Sequence, residues 1–191
     1  MSEDNVKAVI EALLFSSDKP LTLEQIRGVL NNLDTSQIRQ SLEELKSEYE
    51  TANRGVRVTE VAGGFQMITS PVFASFLKKL YKQRRVEKLS KPALETLAMV
   101  AYKQPVSKAE IESLRNVNVD GVVASLLDKD LIRVAGRKKA PGRPFVYGTT
   151  RQFLEYFGLK SLEELPKIEN FQVPPNTGEG IDEPKEVAQT N

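Results

Sequence analysis

Two short apolar runs, Leu131–Ala135 and Phe145–Gly148, flank a basic segment rich in turn residues, Gly136–Arg137–Lys138–Lys139–Ala140–Pro141–Gly142–Arg143–Pro144. Runs of this kind pair as a β-hairpin, with the turn residues and charges at its tip. Gly142 shapes the turn, and Pro144 marks the start of the return strand, where no ladder N–H is needed. Three helical stretches precede the hairpin. Ser90 caps the first, with Pro92 in its first turn, and Leu94, Leu97, Ala98, Ala101 and Tyr102 form its apolar side. Gln104–Pro105 breaks it. Ser107 caps the second, with Glu110 three residues on as the capping-box partner, and Ile111 and Leu114 face inward. The third runs from about Val119 to Asp128 and buries Val122, Val123, Leu126 and Leu127. Three helices and then a hairpin are the order of a winged helix.

The first half repeats that order. Val6, Val9, Ile10, Leu13 and Leu14 place a helix over Asn5–Ser16. Thr22, with Gln25 as its partner, caps a second that buries Ile26, Val29 and Leu30. Thr35 caps a third, to about Tyr49, with Ile38, Leu42, Leu45 and Tyr49 on one stripe. From Gly55, Val56 and Val58 face one way and Arg57 and Thr59 the other. Ala62–Gly63–Gly64 makes the turn, and Phe65, Met67 and Thr69 lie on the return strand. Pro71 fits the first turn of a fourth helix, carried by Phe73, Phe76, Leu77 and Leu80 to about Lys82. Pro20–Ile26 aligns with Pro105–Ile111 at an offset of 85, which also pairs Ile38 with Val123 and Leu42 with Leu127. This self-similarity predicts a mainly α protein with small β-wings, built as two tandem winged-helix domains. The expected boundaries are 1–84 and 85–165, joined by the polar stretch Gln83–Lys91. A last helix, Arg151–Phe157, carries Phe153, Leu154 and Phe157 and stops at Gly158. Ser161–Leu165 makes one more turn before Pro166. In 166–191 apolar density is too low to offset the entropy of ordering, so an acidic, disordered tail is expected. A short binding peptide around Ile168 and Phe171 is the alternative.

The 191 residues include no cysteine and no histidine. Disulfides and thiolate metal sites are excluded. So are a Ser-His-Asp triad and the commonest nitrogen ligand of zinc. No carboxylate constellation suggests a hydrolase, and no phosphate loop of the Gly-x-x-x-x-Gly-Lys-Ser/Thr type is present. We therefore expect a non-enzyme without cofactors. No apolar run approaches the ~20 residues of a membrane span. The start, Met1–Ser2–Glu3–Asp4, lacks a basic segment ahead of an apolar one, so the expected location is the cytoplasm. The net charge of +1 supplies no whole-molecule field toward nucleic acid. Charge is nonetheless uneven. Lys78, Lys79, Lys82, Arg84, Arg85, Lys88 and Lys91 cluster mid-chain, while Glu179, Asp182, Glu183 and Glu186 make the end acidic.

A winged helix that reads DNA needs Arg, Lys, Asn or Gln on the outer side of its third helix. In the first copy those positions are Gln37, Arg39, Gln40, Glu43, Glu44, Lys46, Glu48 and Glu50, with acids in excess. In the second they are Asn118, Asp120, Ser125, Asp128 and Asp130, with Lys129 the basic one. Neither helix looks like a base reader. The second wing, with Arg137, Lys138, Lys139 and Arg143, admits three readings. It is a charged hairpin tip that discourages edge pairing, a weak sequence-blind phosphate contact, or a site for an acidic protein. Candidate protein-binding surfaces are the first-helix face with Phe15 and Val9, and Tyr102, Leu154, Tyr156 and Phe157 in the second half. Ordinary core packing is the alternative for each.

Lys88–Leu89–Ser90–Lys91–Pro92–Ala93–Leu94–Glu95–Thr96–Leu97–Ala98 and Ala101–Tyr102–Lys103–Gln104–Pro105–Val106 resemble the second domain of the segregation and condensation protein B family. So do Ser107–Lys108–Ala109–Glu110–Ile111 and Gly142–Arg143–Pro144–Phe145–Val146–Tyr147–Gly148–Thr149–Thr150. Phe157–Gly158–Leu159 through Leu165–Pro166 continues the likeness, which spans about Ala8 to Pro166 and includes Ile10–Glu11–Ala12–Leu13–Leu14–Phe15. Arg115–Asn116–Val117–Asn118–Val119–Asp120 departs from the family's Arg-Gly-Val-type segment. The resemblance implies a non-enzymatic condensin subunit for chromosome condensation and partition. It implies a homodimer formed by the N-terminal domain and binding to the kleisin, segregation and condensation protein A. Through the kleisin it would meet the SMC ATPase. The competing expectation is a winged-helix DNA-binding transcriptional regulator using the wings and the Lys78–Lys91 cluster.

Overall fold

In each half, a residue next to a proline leaves its helical path to pair with the return strand of the wing. The computed structural model describes residues 3–31, 33–81 and 88–167. The first unit runs α1 (Glu3–Ser16), α2 (Leu23–Val29), α3 (Thr35–Thr51), β1 (Val56–Val61), β2 (Gly64–Thr69) and α4 (Ala74–Leu80). The second runs α5 (Lys91–Lys103), β3 (Val106–Ser107), α6 (Lys108–Arg115), α7 (Asp120–Asp128), β4 (Ile132–Arg137), β5 (Phe145–Thr149) and α8 (Arg151–Phe157). Leu21 bridges Phe65, exchanging N–H···O bonds of 2.8 Å in both directions. Eighty-five positions on, Val106 pairs with Tyr147 in a three-stranded antiparallel sheet of order β3-β5-β4. The sequence reading contained no strand at β3. Two residues are too few to show a period, and only the partner strand makes them one.

Each unit closes around its own apolar core. Ile10, Leu14, Ile26, Ile38, Leu42 and Phe65 centre the first; Leu97, Val100, Ile111, Leu126, Ile132 and Phe153 centre the second. Both cores therefore draw on all three helices of the unit and on its wing or flanking helix. The two units differ in the third helix, 17 residues in α3 against nine in α7.

Four sequence expectations need correction. Asp34, not Thr35, caps α3: its carboxylate accepts from the Gln37 N–H at 2.9 Å while the Gln37 side chain accepts from the Asp34 N–H at 3.1 Å. A carboxylate also complements the positive end of the helix dipole better than a hydroxyl. Val29 is 57% exposed, because Ile26 and Leu30 turn inward one helical turn apart and Val29 sits about 100° round from Leu30. Leu114, expected inside, is 52% exposed at the end of an eight-residue helix that needs only Ile111 in the core. The buried stripe of α5 is Ala93, Thr96, Leu97, Val100 and Ala101, one position round from the expected one. Both stripes fit helical spacing. The choice falls to Thr96, fully buried because its hydroxyl accepts from Arg115 Nη1 at 2.9 Å.

The first wing turns through Ala62 and Gly63, both at positive φ (51° and 68°), the type I′ geometry that matches strand twist. An alanine there costs on the order of 1 kcal/mol, and contacts from the second unit offset it. The Ala62 N–H donates to the Leu159 carbonyl at 2.8 Å and the Gly63 N–H to the Lys160 carbonyl at 3.1 Å. Arg151 Nη2 donates to the Pro20 carbonyl at 2.8 Å, and Lys160 lies 3.8 Å from Glu60. The tip of the first hairpin is thus clamped to the chain leaving α8. The expected connection over Gln83–Lys91 and the expected tail fall largely outside the described residues.

Gly64 marks where the first unit tolerates no added atom. A Cβ there meets the Leu21 carbonyl oxygen at 2.8 Å and its carbon at 2.9 Å, both backbone, whereas one at Gly121 in α7 meets nothing within 4 Å. We expect Gly64→Ala to lower stability by about 1–3 kcal/mol, as overpacking does. Gly121→Ala should be neutral or stabilise by about 0.5 kcal/mol through the unfolded chain. Urea denaturation checks this; equal midpoints for the two variants would contradict the close bridge.

Candidate functional site

The outer faces of the two third helices carry little free positive charge. On α3, Glu44 and Glu48 lie 3.7 and 2.6 Å from Lys7 of α1. Arg39 turns toward its own wing, 3.3 Å from Glu60 and 5.7 Å over the Phe65 ring. On α7, Asp120 accepts from Lys108 and from Asn118. The Lys108 ammonium holds the Asp120 carboxyl below the usual carboxylate range, and Asp120 in turn raises Lys108. A phosphate approaching either helix meets carboxylates or cations already engaged.

The second wing gathers Arg137, Lys138 and Arg143, as the sequence suggested. Two of the three are bound within the fold. The Arg137 guanidinium stacks 4.0 Å from the Phe145 ring centroid and donates to the Arg143 carbonyl at 3.2 Å. Lys138 donates to Glu110 at 2.6 Å. Glu110 also accepts from the Ser107 N–H at 2.9 Å and the Ser107 hydroxyl at 2.6 Å. Lys138 first, then the Ser107 hydroxyl and N–H, hold the Glu110 carboxyl down at about 2 against an ordinary 4.5. The capping box of α6 thereby doubles as the anchor of the wing. Arg143 is exposed at φ 42°, with its N–H on the Ala140 carbonyl at 2.9 Å.

The remaining candidates divide between the units. Tyr102 is half-buried, its hydroxyl donating to the Pro166 carbonyl at 2.6 Å. Leu154 packs on the second core. Phe157 is 44% exposed, its ring 5.0 Å from Phe153 and 5.1 Å from Tyr156. Tyr156 and Phe157 therefore present an aromatic edge to solvent beside the clamp at Leu159. Phe15, at the end of α1, is 81% exposed. It borders a groove of about 370 Å³ lined also by Ala8, Glu11, Ala12, Val56 and Met67.

Sequence reasoning missed two features. The exposed apolar residues of α4 were read as helix without asking what they face. A three-helix unit with a wing has no slot for a fourth helix, and that surplus was the available signal. The clamp of Arg151 and Lys160 onto the first wing had no sequence signal, since its acceptors and donors are mostly backbone. Among the described residues, no group of His, Cys, Asp or Glu has the makings of a metal site. No described helix is long and apolar enough to cross a membrane.

Together these features define a tandem winged-helix protein whose reading helices are acidic or self-paired and whose open surfaces are apolar. Comparison with known proteins agrees and is more specific: residues 8–168 match the family model of the segregation and condensation complex subunit ScpB. The segregation and condensation protein B of Syntrophotalea carbinolica is 46% identical over 171 residues, covering 90% of this chain and 86% of that one. That of Symbiobacterium thermophilum is 44% identical over 180 residues, covering 91% and 81%. The chain belongs to the ScpB family. Among solved structures, ScpB from Mycobacterium tuberculosis is 34% identical over 83% of this chain and 98% of its own, with a TM-score of 0.42. A dimer of the ScpB N-terminal domain complexed with a ScpA peptide is 36% identical over 40% of this chain and 95% of its own, with a TM-score of 0.38.

The wing anchor has a titration signature. Glu110 is held below its unfolded value, so the tie to Lys138 is complete above pH 4.5 and weakens as pH falls toward 2. Carbon-detected NMR of the Glu110 carboxyl should give a midpoint near 2. Lys138→Ala should move that midpoint up toward 4.5. An unchanged midpoint in the variant would contradict the contact.

Proposed function

We propose that this chain is a non-enzymatic adaptor of a bacterial condensin. It holds the kleisin, segregation and condensation protein A, and through it the SMC ATPase, in chromosome condensation and segregation during cell division. Residues 1–84 self-associate into a homodimer, and residues 85–165 bind the partner. The adaptor works in the cytoplasm, at the nucleoid through its complex. The observation that carries this reading is the state of the third helices. Membership of the family supplies the partner, and helices whose cations are paired off supply the reason the fold grips polypeptide.

The related N-terminal domain named as a dimer complexed with a ScpA peptide supports both halves of the proposal by its sequence likeness. Chemistry agrees with it. Phe15 and the groove beside it, and Tyr156 with Phe157, offer aromatic and aliphatic area of the type that anchors protein interfaces. A second reading, the DNA-binding regulator, draws on Arg143 and Lys139, which are exposed on the second wing. Two such cations supply a phosphate contact and no sequence discrimination.

Two titrations separate the readings. Purified kleisin should form a stable complex with the full chain on gel filtration. Fluorescence anisotropy with random duplex DNA should show weak binding that falls by roughly tenfold or more between 50 and 200 mM salt. Tight binding to one DNA sequence, with no kleisin complex, would overturn the adaptor reading.

A further inference from the structure

Helix α4 and the 3₁₀ turn that opens it carry Val72, Phe76 and Leu80, exposed at 76%, 66% and 74%. No residue of α4 is buried, and neither apolar core includes one. Seven residues are too few to hold a helix in water by propensity alone, so its stability calls for packing on an apolar face. The helix is also basic, with Lys78 and Lys79 in its last turn and no acid.

The same unit offers a surface of the opposite character. Along α1, Ala8 and Ala12 are exposed one turn apart and form the floor of the groove bordered by Phe15, Val56 and Met67. Two alanines in that position leave room for a second helix to approach closely, since the distance between packed helices follows the side chains between them. Glu11 lines the groove as its acid, with Tyr49 donating to its carboxylate. The groove is thus apolar with a negative rim, and α4 is apolar with a positive end.

We infer that α4 of one copy lies in the α1 groove of a second copy, and that the exchange is reciprocal about a two-fold axis. Both surfaces stand on one chain, so one symmetric pairing covers each of them twice, with no other protein needed. The chain path permits it. Val56 lines the groove and pairs with Thr69 at the open end of the first hairpin. Pro71 begins the turn into α4 two residues later, so the helix departs from the rim of the groove. This inference rests on the reading of the chain as a self-associating adaptor and assigns that association to named surfaces.

The absence of native cysteine makes a direct test simple. Full-length Ala12→Cys and Phe76→Cys chains are prepared separately, mixed under reducing conditions and then oxidised mildly. A disulfide-linked heterodimer that forms far faster in the mixture than in either chain alone is the expected result. A link between two different chains also excludes contact within one copy. In parallel, sedimentation equilibrium of the unmodified chain reads the dimer itself, and Phe76→Asp with Leu80→Asp should weaken it by roughly tenfold or more. A dimer that persists in the unmodified chain with no heterodimeric link would overturn this inference and leave the adaptor reading standing. So would a kleisin complex lost in the α4 variant while its dimer is intact, because α4 would then belong to the kleisin. An unmodified chain that stays monomeric at high concentration would overturn both the inference and the self-association it rests on.

Discussion

The pairing of one extended segment with the return strand of the wing fixes each half of this protein. Leu21 does this in the first unit and Val106 in the second, at matching places in the repeat. The bridge makes the wing part of the core: Phe65 is fully buried beneath Leu21, and Val146 is buried beside Ser107. Without it the hairpin would be a two-stranded ribbon, marginal in water. With it, the outward surfaces are set: one side of each third helix, the tips of the wings and whatever the fourth helix displays.

What these surfaces hold decides the function. The first wing tip is closed by the second unit through the Ala62 and Gly63 N–H groups. Arg39 leans on Phe65 and Glu60, and the second wing keeps Arg137 and Lys138 for its own shape. Positive charge is present in the sequence but is largely used inside the molecule. The apolar side chains are the ones left open, on α1, α4 and α8. A fold shaped to sit in a groove of DNA is thereby turned to hold polypeptide.

Much of this was legible from residue order. The capping boxes at Thr22 and Ser107 form as read, the two-residue turn at Ala62 and Gly63 closes the first hairpin, and the repeat at 85 residues places both bridges. The misreadings share a cause. On α5 the spacing of apolar residues fits two neighbouring stripes, and a buried threonine, satisfied by an arginine nineteen residues on, selects the less apolar one. Helices as short as α2 and α6 leave Val29 and Leu114 outside because one or two inward residues suffice. At the candidate site, sequence gathered Arg137, Lys138 and Arg143 correctly but gave no view of Glu110 and Phe145 as their partners. Those contacts cross the sheet or join helix to wing, and no local pattern records them.

Hydrogen–deuterium exchange of the full chain with saturating random duplex DNA at low salt tests the central claim most directly. Exchange in α3 and α7 should be the same with and without DNA, because their outer faces offer phosphate no free cation cluster. Slowed exchange confined to either helix would place it in a DNA groove and contradict the account.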